Sequence, residues 1–166
     1  FGADVLHIIE YMPERLTEVP GIGEKRITAI TAAWKDQKEI ANIMVFLQEK
    51  DVSLVFAAKI FKQYGKESIS IVQQNPYRLA EDVWGVGFKT ADTLAQKLGF
   101  EYDSTQRVRA GIQFALQDMT NQGHLYLELT ALKKRTCELL ELSLEKHAAV
   151  IKRSLHELHE QGSIKL

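Results

Sequence analysis

Val83-Trp84-Gly85-Val86-Gly87-Phe88-Lys89-Thr90-Ala91-Asp92-Thr93-Leu94-Ala95-Gln96-Lys97-Leu98-Gly99 is a Gly-x-Gly turn that runs into apolar residues at helical spacing, Ala91, Leu94 and Leu98, and is closed by a glycine. The first two glycines permit positive φ, or close approach of another backbone, where a starting helix leaves its first N–H groups without partners. Those donors, the positive end of the helix dipole and Lys89 in the first turn together make a site for one phosphate. The same shape stands upstream as Val19-Pro20-Gly21-Ile22-Gly23-Glu24-Lys25-Arg26-Ile27, with Lys25 again four residues after the first glycine.

The agreement extends beyond the turns. Phe1-Gly2 matches Tyr64-Gly65, Ile8-Ile9 matches Ile71-Val72, and Pro13-x-Arg15-Leu16-x-Glu18 matches Pro76-x-Arg78-Leu79-x-Glu81, so the chain holds an internal duplication. A weaker copy lies between, with Asp51-Val52-Ser53 in place of Gly-x-Gly and Leu54 to Gly65 as its second helix. The turns begin at 21, 51 and 85, and those intervals fit a short helix, a hairpin and a second helix per unit. Each second helix carries apolar residues at helical spacing: Ile27, Ile30 and Trp34 in the first, Ile60 and Tyr64 in the second. One hairpin has too little apolar area to fold alone, so the three units are expected to share one core. Phe1-Gly2 falls where a unit's second helix ends, which predicts a further hairpin upstream.

Beyond Gly99 the pattern changes. Ser104 or Asp103 can cap a helix through Val108, Ile112, Ala115, Leu116 and Met119 that stops at Asn121-Gln122-Gly123. His124-Leu125-Tyr126-Leu127-Glu128 reads as a short strand. Helices near 129–140 and 144–161 follow, and Gly162 to Leu166 reads as the first arm of a hairpin whose second arm lies past the end of the chain. That is the order of a winged helix. The expected fold is therefore mainly α: tandem helix-hairpin-helix repeats over 1–102, with turns near 21–23, 51–53 and 85–87, then a truncated winged-helix-like α+β domain over 103–166.

A net charge of −1 over 166 residues excludes binding of nucleic acid by bulk charge, so any phosphate contact has to be local. The single cysteine, Cys137, excludes an internal disulfide. No apolar run near 18 residues is present, and no signal peptide is visible, so no membrane partner and a cytoplasmic setting are expected. The βαβ context of a dinucleotide site and the Gly-x-x-x-x-Gly-Lys-Ser/Thr run of an ATP site are both missing. His7, His124, His147, His156 and His159 do not cluster with Cys137 at metal-ligand spacing, which leaves no metal or cofactor for this chain.

The candidate DNA-phosphate residues are Gly21, Ile22, Gly23, Lys25, Arg26, Gly85, Val86, Gly87, Lys89 and Thr90. Backbone donors read phosphates without reading bases, so binding is expected to be independent of sequence. Asp51 puts a carboxylate where a phosphate would sit, which makes the middle copy structural, although Lys59, Lys62 and Lys66 could line a DNA path. Trp84 and Phe88 flank the last hairpin and could each stack on a base; a core role is at least as open to Trp84, and Phe88, which stands where the first hairpin has polar Glu24, is the better candidate for an exposed contact. In the last domain Lys146, Lys152 and Arg153 are candidate contacts of a recognition helix.

Tyr64-Gly65, Asn75-Pro76-Tyr77-Arg78-Leu79 and Gly85-Val86-Gly87-Phe88-Lys89-Thr90-Ala91-Asp92 together resemble the N-terminal region of the RecD-like ATP-dependent DNA helicases, the long form with extra helix-hairpin-helix units ahead of its motor. The resemblance implies a parent enzyme of DNA repair and recombination. Its motor, moving 5′ to 3′ on single-stranded DNA, would use ATP and magnesium. It implies for this chain a non-catalytic DNA-binding and docking role, with single-stranded or forked DNA and the motor of the same parent chain as partners. The competing reading is a structural or protein-interaction module that packs on the motor without touching DNA. Asp51, in place of the family's glycine, puts DNA contact at the middle hairpin in doubt.

Overall fold

A computed structural model of the chain describes residues 1–165, and among them the regular structure is entirely helical. Its order is α1 (Val5–Tyr11), α2 (Glu24–Glu49), α3 (Leu54–Tyr64), α4 (Ser68–Gln74), α5 (Arg78–Asp82), α6 (Phe88–Lys97), α7 (Thr105–Asn121), α8 (Leu129–Leu140) and α9 (Ala148–Glu160). Among the described residues no helix is long and apolar enough to cross a membrane.

The internal duplication is visible in the backbone. Gly2 and Gly65 both have positive φ, and each opens a three-residue 3-10 turn followed by a seven-residue helix, α1 or α4. Arg15 lies over the Phe1 ring at 5.5 Å and Arg78 over the Tyr64 ring at 5.8 Å, so the matched aromatic and arginine positions pair with each other in both copies. Leu16 and Leu79 are both buried.

The middle unit is built differently. α2 is one helix of 26 residues, about 39 Å long, whose N-terminal half serves the first hairpin and whose C-terminal half serves the second. A single core for all three hairpins does not form. Ile43, Leu47, Val52, Ala57, Ile60, Val72, Leu79, Val83, Val86 and Leu94 join the second and third hairpins in one cluster. The first hairpin, with Ile8 and Leu16 buried, packs on the N-terminal half of α2 instead. The length of α2 separates its apolar residues from the shared cluster.

A second core fills the bundle of α7, α8 and α9 and takes in Tyr77, Phe88, Ala91 and Ala95. α6 therefore buries two faces, with Leu94 toward the hairpins and Phe88, Ala91 and Ala95 toward the bundle. Gly111 lets α8 approach α7 closely, since a Cβ there would lie 2.8 Å from a methyl group of Leu140. Packing runs across the boundary expected at 102/103, which itself falls in the turn between α6 and α7.

The winged-helix expectation is corrected. Residues 124–128 are irregular, with Leu125 96% and Tyr126 86% exposed, because among the described residues no neighbouring strand pairs with them. The last helix begins at Ala148 rather than near 144, after a turn that starts at Ser143. Of the expected wing arm, residues 162–165 form a turn with Ile164 N–H returning to Leu158 O, and Leu166 lies outside the described residues.

Candidate nucleic-acid interface

Each glycine hairpin is a tight β-turn that delivers the chain into a helix. In the first, Ile22 N–H donates to Val19 O at 3.1 Å; in the third, Val86 N–H donates to Val83 O at 3.0 Å. The third residue of each turn is left-handed, Gly21 at φ 86° and Gly85 at φ 88°, as a type II turn requires. Asp51, aligned with these glycines, is also left-handed at φ 58°, but it ends α2 as a Schellman-type cap, with Val52 N–H donating to Leu47 O at 3.0 Å and Asp51 N–H to Gln48 O at 2.9 Å. Asp tolerates this region better than most side chains.

The three turns differ in how the following helix starts. Gly23 and Gly87 are the N-caps of α2 and α6, and having no side chain they cap nothing. The N–H groups of the first helical turn, at Glu24 and Lys25 and at Phe88 and Lys89, have no carbonyl one turn earlier to receive them. Gly23 and Gly87 have ordinary extended conformations, and a Cβ at either would meet nothing within 4 Å. The fold does not need glycine there, and its effect is to leave the amides open. In the middle hairpin Ser53 is the N-cap of α3 and its hydroxyl accepts from Phe56 N–H at 3.4 Å. Ser53 thus fills the third amide of its helix, while those of Leu54 and Val55 stay open like their counterparts in the other two turns. The Asp51 carboxylate of this turn is also paired with Lys97 from the end of α6.

Around the first turn Lys25 and Arg26 are exposed, and Arg26 Nη1 donates to Gly21 O at 2.6 Å, folding the guanidinium back over the turn. Around the third, Lys89 is exposed, Thr90 half-buried and Val86 buried, while Ile22 of the first turn is half-buried. Lys89 borders a cleft with Phe114, Asp118, Arg135 and Glu138. The two glycine turns lie toward opposite ends of α2, because the third turn is tied to α3. Lys59 Nζ donates to Trp84 O at 3.2 Å and lies 3.2 Å from where a Cβ on Gly85 would be. Of the other lysines considered, Lys62 is exposed and Lys66 is held by Asp36 and Glu39 at 2.8 and 3.0 Å.

The preference for Phe88 over Trp84 as the exposed contact is reversed. Phe88 is only 4% exposed, its ring 6.0 Å from Tyr77 and 5.3 Å from Phe114, so it docks the third hairpin on the bundle and is no stacking platform. Trp84 is 88% exposed and belongs to neither core. The positions matching Phe88 in the other copies, Glu24 and Leu54, are exposed, because only the third hairpin has a bundle against it. On the last helices, Lys146 precedes α9, Lys152 is exposed, and Arg153 donates to Glu157 at 2.9 Å.

A buried network that the spacing did not signal fixes the third hairpin. Arg107, 4% exposed, donates to both carboxylate oxygens of Asp92 at 2.8 and 3.0 Å and to the carbonyls of Tyr102 and Leu140. Tyr77 OH donates to the same carboxylate at 2.8 Å. Burial is the largest influence on the Arg107 guanidinium and opposes its charge, but the hydrogen bonds to Asp92, the charge attraction of that carboxylate and the neighbouring Tyr77 and Tyr102 together outweigh it and raise the pKa; burial, then the bond to Asp92, pushes the Tyr77 phenol up. Cys137 is buried, and its thiol is pushed up by that burial.

Two uncapped glycine turns and one serine-capped turn on a helical frame define a tandem helix-hairpin-helix protein. Residues 36–126 match the family model of the HHH domain of the ATP-dependent RecD2 DNA helicase, and the chain belongs to that family. Over 135 residues it is 30% identical to the ATP-dependent RecD2 DNA helicase of Deinococcus radiodurans, an alignment covering 81% of this chain and 19% of that protein. The chain thus spans less than a quarter of that relative. The family match takes in the second and third hairpins and α7, and begins beyond the first turn.

Proposed function

We propose that this chain is a non-catalytic DNA-binding and docking region of a RecD2-type helicase, in which the uncapped amides of the first and third hairpins hold DNA phosphates without reading sequence. The observation that carries this is the contrast in charge and crowding among the turns: Gly23 and Gly87 put no side chain over the open amides beside Lys25, Arg26 and Lys89, while the middle helix start carries the Ser53 hydroxyl and stands next to the Asp51 carboxylate. ATP and magnesium are, on this reading, the needs of a motor in the same parent chain, which works in DNA repair or recombination in the cytoplasm. Few phosphates and a net charge of −1 make the binding weak, with log K falling against log salt by only about 0.7–0.9 for each phosphate held.

The test is fluorescence anisotropy of the chain with labelled single-stranded, duplex and forked DNA over a salt series. Affinity that falls with salt on a slope of about −1 to −2 and is indifferent to sequence is the expected result. No binding to any of the three at low salt would overturn it in favour of docking alone, with the hairpins serving as scaffold.

A further inference from the structure

The hairpin fold makes no demand for tryptophan at position 84. The matching residue is Pro20 in the first turn and Lys50 in the second, so the position before the left-handed residue accepts three unlike side chains. Proline has a backbone reason to be there, since it presets the second position of a type II turn. Tryptophan has none, and at 88% exposure its ring also forgoes the burial that usually makes an indole worth placing.

The side chain is nevertheless held. Lys59, reaching across from α3, donates to the Trp84 carbonyl at 3.2 Å and sets its ammonium 4.9 Å from the centre of the indole ring, within the range of a cation–π contact. The Phe56 ring lies 5.6 Å from the same ammonium. An oriented aromatic face thus stands three residues before Gly87, beside a cation and next to the open amides of α6. An exposed π-face of this kind accepts any nucleobase. In a duplex both faces of a base are already stacked, so the platform selects an unpaired one.

We propose that Trp84 is a stacking platform for an unpaired nucleobase of single-stranded DNA, seated beside a phosphate held at the third hairpin, with Lys59 as the positioning residue. The proposal rests on the phosphate-binding reading above and adds to it a preference for strands with free bases.

The test uses Trp84→Pro, which copies the first turn. Val83 already has the extended conformation, φ −114° and ψ 108°, that a following proline requires, so the variant keeps its turn and melts like the parent chain. Binding to a thymidine 12-mer and to a blunt duplex is measured over a salt series. Trp84→Pro is expected to weaken single-strand binding by about tenfold or more and to leave duplex binding unchanged, while Trp84→Phe keeps most of the affinity. The salt slope stays that of the parent, since no phosphate contact is removed. A Trp84→Pro variant that binds the single strand like the parent overturns the proposal and leaves the phosphate reading standing. Equal losses on both DNAs overturn it too, because they describe a surface contact and not stacking. A parent chain that binds neither DNA at low salt overturns both readings.

Discussion

Replacing Gly23 and Gly87 together by aspartate separates stability from DNA binding. Both residues are N-caps at φ −96° and −90°, where an aspartate is at ease, and a Cβ at either meets nothing within 4 Å. Each new carboxylate can accept from the open amides and sits at the positive end of a helix dipole. An aspartate in place of glycine at such a cap gains a few tenths of a kcal/mol, and the dipole adds about 0.3–1. The two caps lie on different helices without shared partners, so the gains add to about 1–2 kcal/mol, or roughly 2–8 °C in melting temperature for a chain of this size. Binding moves the other way. A hydrogen bond to a charged group is worth about 1.5–3 kcal/mol, so losing the phosphate at each turn costs tenfold or more per site. Thermal melts and anisotropy titrations on the same samples give both quantities. A double variant that melts at or above the parent yet binds DNA equally well would refute the assignment of the amides, because nothing else about the turns would have changed.

Asp92→Ala strips the buried Arg107 of its partner and is expected to cost about 3–5 kcal/mol in urea unfolding, whereas Asp92→Ala with Arg107→Met recovers a large part of it. Gly111→Ala pushes a methyl group into Leu140, which is fully buried; overpacking outweighs the better helix propensity for a net loss of about 1 kcal/mol, and Leu140→Val restores it. The phenols of Tyr64 and Tyr77 are raised, mainly by burial and then by their bonds to Asp82 and Asp92. The folded chain therefore keeps these protons longer than the unfolded chain, which releases them near pH 10. Their contribution is complete below about pH 10 and is lost as pH rises beyond it. Urea unfolding between pH 8 and 11 should show stability falling on the alkaline side, less steeply in Tyr77→Phe.

What could be read from the sequence was whatever repeats within it. The Gly-x-Gly turns, the duplicated Phe/Tyr-Gly and Pro-x-Arg-Leu residues and the helices from 105 to 140 follow from local periodicity and turn chemistry, and the backbone of the two copies repeats as their residues do. The errors come from neighbours that a repeat alignment cannot see. Phe88 aligns with Glu24 but meets Tyr77 and Phe114, because only the third hairpin has a bundle beside it. Residues 124–128 alternate as a strand would, yet a strand needs a partner, and none is offered among the described residues. The long α2 hid the division of the core, since one unbroken helix carries the first hairpin's second half into the start of the next hairpin. Arg107 could have been suspected as a charge inside an apolar helical stripe, between Val108 and the Ser104 cap.

The middle hairpin, which looks like the decayed copy, is the one that aims the third. One of its amides, Phe56 N–H, is taken by Ser53, and its Asp51 carboxylate, paired with Lys97, puts negative charge where a phosphate would come. The helix it starts nevertheless delivers Lys59 to Trp84 O, 25 residues along the chain. The exchange is mutual: α6 sends Lys97 to the second turn while α3 sends Lys59 to the third, over the shared cluster of Val52, Ile60, Val86 and Leu94. Two turns locked in this way cannot shift independently. Loss of glycine at 51 and 53 is then a division of labour, in which one hairpin becomes rigid support so that its neighbour can present an open helix start and an exposed indole in fixed relation.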